Sequence, residues 1–156
     1  MTRLRPARAG EAALLSALAL RSKAHWGYDA GFLDACRDEL TLRDDELAER
    51  RTVVAEVDGH LHGFATLEGA PPVGELGMLF VDPVAIGRGL GAALLTHQLE
   101  AARGAGFRLL TLDADPNAEA FYLAHGARRV GGVPSGSVPG RVLPRLEVDL
   151  SGPRPS

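Results

Sequence analysis

The chain has 156 residues, 46% of them hydrophobic and 24% charged, with a net charge of −3, which is typical of one globular domain. This charge, without any basic block, disfavours nucleic-acid binding, because phosphate neutralisation needs clustered Lys and Arg. The single cysteine, Cys36, excludes an internal disulfide, and no apolar run reaches the length of a membrane-spanning helix. We therefore expect one cytoplasmic domain over residues 1–150, a flexible tail over 151–156, no metal site, and neither nucleic acid nor membrane as a partner.

The first third of the chain predicts one strand followed by helices. Residues 2–5 are expected to form a short strand, and residues 9–23 carry the apolar spacing of an amphipathic helix. A second helix is predicted over 30–37 with Asp29 as its cap. The charged stretch 41–51 is predicted to be helical or partly loop.

The middle of the chain changes to a strand pattern. Residues 52–57 alternate and are rich in valine, and the Asp58-Gly59 pair after them is a strong hairpin signal. Residues 61–67 are the expected partner strand. A third, long strand is predicted over 73–81, and a loop follows it.

The second half alternates between helices and strands. Helices are predicted over 90–103 and 118–124, and strands over 107–112, 127–130 and 142–150, with a Gly/Pro/Ser loop over 131–141. The order is therefore antiparallel strands first, then strand, loop, helix, strand, helix and strand.

The glycine loop between the third strand and the following helix predicts an anion site. Gly87, Gly89 and Gly91 allow consecutive backbone N–H groups to turn toward one anion. The helix beginning near Leu90 adds its unpaired N–H groups and its positive dipole end. The loop thus suits a pyrophosphate, with Arg88 as a charged contact to a ribose phosphate. The alternative is a plain glycine-rich turn that enters a helix.

A dinucleotide-binding fingerprint competes with this interpretation. The spacing from Gly87 through Gly89 to Ala92 fits it, and Asp113 lies at a suitable distance. In that fold, however, the strand runs almost directly into the first glycine, whereas five residues, 82–86, intervene here. The fingerprint also usually opens its domain, whereas a hairpin and helices precede it in this chain. An NAD(P)-binding oxidoreductase domain is therefore kept as an alternative.

Two separated motifs in this order resemble the GNAT acetyltransferase superfamily, and in particular a bacterial branch of it. The motifs are Leu79-Phe80-Val81-Asp82-Pro83 with Gly87-Arg88-Gly89-Leu90-Gly91-Ala92, and Asn117-Ala118-Glu119-Ala120-Phe121-Tyr122 with His125-Gly126-Ala127. The family has Gln or Arg where this chain has Ile86. We expect this departure to weaken one side-chain contact, since the family's phosphate contacts are mostly backbone.

The resemblance implies an α/β domain with a mixed, mostly antiparallel sheet of six to seven strands, a splayed central pair and helices on both faces. It implies acetyl-CoA as cosubstrate and direct transfer to a primary amine in a ternary complex. Pantetheine would pair with the backbone of Leu79, Phe80 and Val81, and Asn117 would meet it from the other side unless it caps a helix. The pyrophosphate would bind along the loop, at Gly87, Arg88, Gly89, Leu90, Gly91 and Ala92.

Two residues are expected to carry the chemistry. Tyr122 matches the family's general acid, and its phenol, with a pKa of about 10, stays protonated while a thiol of pKa about 8.5 departs. Its alternative is a half-buried packing residue beside Phe121. Glu75 is the expected base with a raised pKa, unless it forms a salt bridge at a strand edge or a water chain replaces it. The backbone N–H of Leu79 or Phe80 would polarise the thioester carbonyl.

Two loops are expected to surround the acceptor. Trp26 and Tyr28 lie between the first two helices, and Arg141 precedes the last strand, where it is expected to pair with a carboxylate. Trp26 could equally cap the helix pair. The acceptor is expected to be a small molecule or a peptide amine. The oligomeric state is left open, with a homodimer as one option because dimers are common in similar proteins. A non-catalytic CoA-binding regulatory module is the second alternative to an enzyme.

Overall fold

The computed structural model describes residues 1–152, so the end of the predicted tail, 153–156, lies outside the described residues. Nine strands and four α-helices make up the described chain. The strands are β1 (Thr2–Pro6), β2 (Val53–Val57), β3 (His60–Ala65), β4 (Glu68–Ala70), β5 (Val73–Glu75), β6 (Leu79–Val81), β7 (Leu109–Asp113), β8 (Arg128–Pro134) and β9 (Val142–Asp149). The helices are α1 (Ala12–Ala24), α2 (Ala30–Cys36), α3 (Leu90–Gly104) and α4 (Glu119–Ala124).

The strands form two sheets, which together give the α/β architecture that the sequence predicts. One sheet has the order β1-β2-β3-β6, and all its pairs are antiparallel. The other has the order β4-β5-β7-β9-β8, in which β5 and β7 are the one parallel pair among the described strands. The expected Asp58-Gly59 hairpin turn is confirmed, since both residues have positive φ.

The single long strand predicted over 73–81 is wrong, because the chain passes from one sheet to the other inside it. The Leu76 N–H still donates to the carbonyl of Thr111 in β7, which is the partner strand of β5. The Met78 carbonyl, in contrast, accepts from the N–H of Thr66, the residue that follows β3. Gly77 lies between them, and a Cβ there would come within 1.7 Å of the Glu68 carboxylate. The side-chain pattern does not reveal this crossing, because both halves are strands and only their partners change.

The crossing separates β6 from β7, so the splayed central pair is confirmed. The sheet is nevertheless larger than the expected six to seven strands. Two strands are added: β4, which forms a short hairpin with β5, and the second strand that results when the predicted strand 73–81 divides into β5 and β6. The predicted loop over 131–141 is also shorter, because β8 continues to Pro134 through a glycine pair with poor strand propensity.

Helices cover both faces of the sheets. The long helix α3 packs with β7 and β9 in a core that includes Leu95, Leu110 and Leu146. On the other face, α1 and α2 pack against β2 and β3 in a core that includes Leu18 and Phe64. Each fully buried side chain of this size stabilises the fold by about 1.5–3 kcal/mol, so these cores hold the two diverging sheets in place.

The predicted helices are close to those observed. The Asp29 side chain caps α2 by accepting from the Phe32 N–H, as expected. The stretch 41–51 forms only a short 3₁₀ helix, Asp44–Glu46, with turns around it. Among the described residues, no helix is both long and apolar enough to cross a membrane.

Candidate active site

A cleft opens where β6 separates from β7, and its volume is about 360 Å³. Its lining is mostly apolar and comes from the end of α1, from β6, from the glycine loop, from the first turn of α3 and from α4. The lining residues are Ser22, His25, Trp26, Leu79, Phe80, Val81, Ala85, Ile86, Gly87, Gly89, Leu90, Gly91, Ala92 and Phe121. The structure therefore brings most of the residues predicted to bind the cofactor into one concave surface.

The open edge of β6 presents unpaired backbone groups to this cleft. Asp82 N–H donates to the His62 carbonyl, and the Met78 carbonyl accepts from Thr66. In an antiparallel pair the hydrogen-bonded residues alternate, so Phe80 also turns its N–H toward β3. Leu79 and Val81 therefore turn their N–H and C=O groups away from β3, toward the gap. Of the two predicted carbonyl-polarising groups, this register favours the Leu79 N–H over that of Phe80.

The glycine loop has the conformation that an anion cradle needs. Gly87 and Gly89 have φ of +89° and +74°, and Gly89 is the N-cap of α3. The Gly89 carbonyl accepts from Ala93, so the N–H groups of Leu90, Gly91 and Ala92 in the first turn have no partner within the helix. Gly91 packs closely, since an added Cβ there would lie in van der Waals contact with the Phe121 ring, at 3.4 Å. The residues present thus fit a pyrophosphate, and Arg88 lies exposed beside them.

Tyr122 lies largely in the core, and its neighbour Phe121 lines the cleft instead. The Tyr122 side chain is 7% exposed, and its ring meets that of Phe121 edge to face. Burial raises the pKa of Tyr122 above its usual value, so the phenol stays protonated. The hydroxyl has no partner among the described residues, yet it is not one of the fully buried unpartnered atoms. The tip of this ring is therefore accessible, while its body packs.

Glu75 lies at the end of β5, just before the crossing, in an exposed position. Its strand partner across β4 is Glu68, and both carboxylates border a second depression of about 250 Å³. Partial burial, followed by the charges of Glu68 and Asp113, raises the pKa of Glu75 above its usual value, as the sequence predicts. No described residue forms an ion pair with it, which removes the strand-edge salt bridge as an explanation.

Tyr28, Asn117 and Arg141, predicted from three separate segments, meet in one hydrogen-bonded group. We call this group, with Lys23 and Asp115, the Asp115 cluster. Tyr28 Oη donates to the Asp115 carboxylate at 3.0 Å, and it accepts from Asn117 Nδ2 at 2.9 Å and from Arg141 Nη2 at 2.7 Å. Its one donor and two acceptor positions are then all used, so Tyr28 has no hydrogen bond left for a substrate.

Charged groups of both signs hold the Asp115 cluster together. Asp115 Oδ2 lies 2.9 Å from Lys23 Nζ and 3.3 Å from Arg141 Nη2. Burial alone would raise the pKa of Asp115, but hydrogen bonds from Lys23, the Asn117 backbone and Tyr28 outweigh it and lower the pKa to about 2. Asp115 is therefore ionised at neutral pH. Asp115 also caps the 3₁₀ turn Pro116–Ala118, so Asn117 is not the helix cap that was its alternative role.

Sequence reasoning missed Lys23, Asp115 and Phe121 as residues of the site. The sequence shows Lys23 only as the sole lysine, at the end of a predicted helix. Its burial, at 8% exposed, and therefore its need for a partner appear only in the structure. Asp115-Pro116 is a typical start of a turn, and this signal was available in the sequence. Trp26, in contrast, does lie at the cleft, with its side chain half exposed.

The comparisons with known proteins agree with this geometry. The model of the acetyltransferase (GNAT) family matches residues 18–127. A GCN5-related N-acetyltransferase from Rhodopseudomonas palustris is similar in structure, with a TM-score of 0.80, 25% identity and 96% of each chain covered. The PaiA N-acetyltransferase from Thermoplasma acidophilum, solved with coenzyme A, gives a TM-score of 0.77 at 17% identity, with 96% of this chain and 99% of that one covered.

A third similar structure is the ribosomal-protein-S18-alanine N-acetyltransferase from Escherichia coli. Its TM-score is 0.73 at 17% identity, and 99% of this chain and 97% of that chain are covered. No curated protein sequence matches this chain significantly. At these identities the last two structures establish the fold alone.

A split sheet with a glycine-loop cleft at the split defines an acetyltransferase fold, and the family match covers well over half of the chain. The chain belongs to the GNAT acetyltransferase family. Membership in this family makes acetyl-CoA its cosubstrate, as the sequence predicts. The NAD(P)-binding alternative does not fit, because a dinucleotide domain needs a mostly parallel sheet, whereas β5 and β7 are the only parallel pair within residues 1–152.

Proposed function

We propose that this protein transfers the acetyl group of acetyl-CoA to a primary amine by direct transfer in a ternary complex. One observation carries the proposal. Two sets of unpaired backbone groups, on the open edge of β6 and at the first turn of α3, face the same apolar cleft. An extended ligand with amides at one end and a pyrophosphate at the other would satisfy both sets.

The cofactor arm would lie along the cleft. Its pantetheine amides pair with the backbone of Leu79 and Val81, and the carbonyl oxygen of Asn117, whose NH₂ group is already engaged, accepts from the other side. The pyrophosphate accepts from the amides around Gly87, Gly89 and the first turn of α3. Arg88 reaches a ribose phosphate.

The transfer needs three proton movements. The acceptor ammonium first loses a proton to Glu75, directly or through water, and its lone pair then attacks the carbonyl carbon. The Leu79 N–H stabilises the negative charge that develops on the carbonyl oxygen. The carbon–sulfur bond breaks as the acetyl group passes to nitrogen, and Tyr122 donates its proton to the departing sulfur. The second proton on the acylated nitrogen then passes, directly or through water, to the Tyr122 phenolate, which leaves the amide product and restores the phenol.

A panel of primary amines, assayed by release of the CoA thiol and by mass of the acetylated product, tests the proposal. We expect amine-dependent thiol release that Tyr122→Phe lowers by at least tenfold, because a general acid contributes about 100-fold or more. A CoA-binding regulatory module predicts binding of acetyl-CoA with no thiol release for any amine. An active Tyr122→Phe variant would remove the acid assignment while leaving the transfer itself. The cytoplasmic location stays a prediction, and a homodimer stays one option.

A further inference from the structure

The Asp115 cluster carries one more positive than negative charge. Lys23 and Arg141 are cations, and Asp115 is the only carboxylate that pairs with either of them in the described part of the chain. Glu39, on the same side, accepts a hydrogen bond from Ser137 instead. The three charged side chains are only 10–15% exposed, so water compensates the surplus charge poorly. A bound anion would complete the group.

Arg141 keeps hydrogen-bond donors free for such an anion. Only its Nη2 atom is engaged, by Tyr28 and Asp115, and its Nη1 and Nε atoms have no acceptor among the described residues. Neither atom is among the fully buried unpartnered ones, so both are accessible. Lys23 likewise has three N–H donors, of which Asp115 takes one.

The Arg141 guanidinium is held in place before any ligand arrives. It lies over the ring of Phe32 at 4.6 Å and over that of Tyr28 at 5.0 Å. Its own backbone closes the preceding loop, since the Arg141 carbonyl accepts from Ser135 at 2.7 Å and its N–H donates to Val138 at 3.2 Å. A preorganised side chain loses little entropy on binding, which favours a recognition role.

None of the five residues of the Asp115 cluster lines the cleft, but two of the elements that supply the cluster lead into it. Lys23 lies on the last turn of α1, between Ser22 and His25, which line the cleft. Asp115 follows the end of β7 at the split, and the turn that it caps leads into α4 and the cleft-lining Phe121. A molecule that reaches the thioester from this side therefore passes beside the surplus charge.

We propose that the acceptor is an amine that also carries a carboxylate, and that Arg141 together with Lys23 binds this carboxylate. The inference deepens the proposed acetyl transfer and rests on it. A guanidinium offers the paired N–H donors that match a carboxylate, and one surplus positive charge matches a monoanion. Tyr28 and Asp115 are positioning residues that orient the two cations.

The test compares acceptors that differ only in the anionic group. L-phenylalanine, L-phenylalaninamide and 2-phenylethylamine are assayed as one series, and L-lysine, L-lysinamide and cadaverine as another. The reactivity of the free amine differs within each series, so the quantity to compare is the ratio of kcat/KM values for acid and amide, measured in wild type and in each variant. Intrinsic reactivity cancels in that comparison.

We expect Arg141→Gln to lower the acid-to-amide ratio by about 10- to 100-fold, mainly through KM, because a charge-assisted hydrogen bond is lost. Arg141→Lys restores part of the ratio. Arg128→Gln, which removes an arginine that is 76% exposed on β8, is the matched control and keeps the wild-type ratio. Circular dichroism and acetyl-CoA titration on the same samples show that each variant is folded and binds its cosubstrate.

An acid-to-amide ratio that Arg141→Gln leaves unchanged in both series overturns the inference. In that case the amines are still acetylated, so the proposed function stands. A wild type that gives no heat with acetyl-CoA and no thiol release overturns both.

Discussion

Replacing Gly89 by alanine separates the cradle's role in binding from its role in folding. Gly89 has a φ of +74°, and no other atom would lie within 4 Å of an added Cβ. Gly59, in the β2–β3 turn, has the same two properties, with a φ of +82° and open space around it. Alanine at either position therefore lowers the free energy of unfolding only by the cost of a left-handed backbone, about 1 kcal/mol. That corresponds to a fall of about 2–4 °C in melting temperature.

The two variants differ in what else they disturb. Gly89 lines the cleft and begins α3, so a Cβ there disturbs the amides proposed to hold the pyrophosphate, whereas Gly59 does not line the cleft. Losing one hydrogen bond to a charged group costs about 1.5–3 kcal/mol. We expect Gly89→Ala to weaken acetyl-CoA binding about 10- to 150-fold by calorimetry, and Gly59→Ala to leave it within twofold. Equal dissociation constants for the two variants would refute the proposal that the amides of the glycine loop bind the pyrophosphate.

Three further outcomes follow from the titratable groups and from the packing. Glu75→Gln should remove the acid limb of the pH–rate profile, which in the wild type falls as pH drops through the raised pKa of Glu75; an unchanged limb assigns it to another group. The folded-state pKa of Asp115 is depressed to about 2, so its stabilisation, about 1–2 kcal/mol after solvent screening, is present above pH 4 and lost as pH falls toward 2. Denaturant titrations of wild type and Asp115→Asn should therefore converge at low pH, and a constant difference would contradict the assignment. Gly91→Val should lower stability by about 1–3 kcal/mol through overpacking against Phe121, and an unchanged midpoint would show that the ring can move away.

Much of the fold follows from local sequence signals. The Asp58-Gly59 turn, the Asp29 cap and the glycine entry to α3 each depend on the chemistry of one or two residues and on backbone preferences that hold in any context. These features are confirmed. The break at Gly77 was missed because strand propensity does not record which strand is the partner. The β4–β5 hairpin and the end of β8 were missed because their glycines are rare in strands.

The candidate site was likewise predicted where it depends on local motifs and missed where it depends on tertiary packing. The cradle and the β6 edge were predicted because both consist of backbone groups whose exposure follows from a motif. The Asp115 cluster was only partly predicted, since Tyr28 and Arg141 are 113 residues apart and their hydrogen bond depends on how α1, β7 and β9 pack. The same packing turns Phe121 toward the cleft and buries the ring of Tyr122. Helical spacing alone does not predict which of these two adjacent rings faces the cleft.

The central claim is that the unpaired amides of this cleft bind acetyl-CoA, and a calorimetric titration of the wild-type protein tests it most directly. We expect saturable heat with one acetyl-CoA per chain, a similar result with CoA, and none with NADPH. A flat titration with acetyl-CoA at saturating concentration, or equal binding of NADPH, would contradict it.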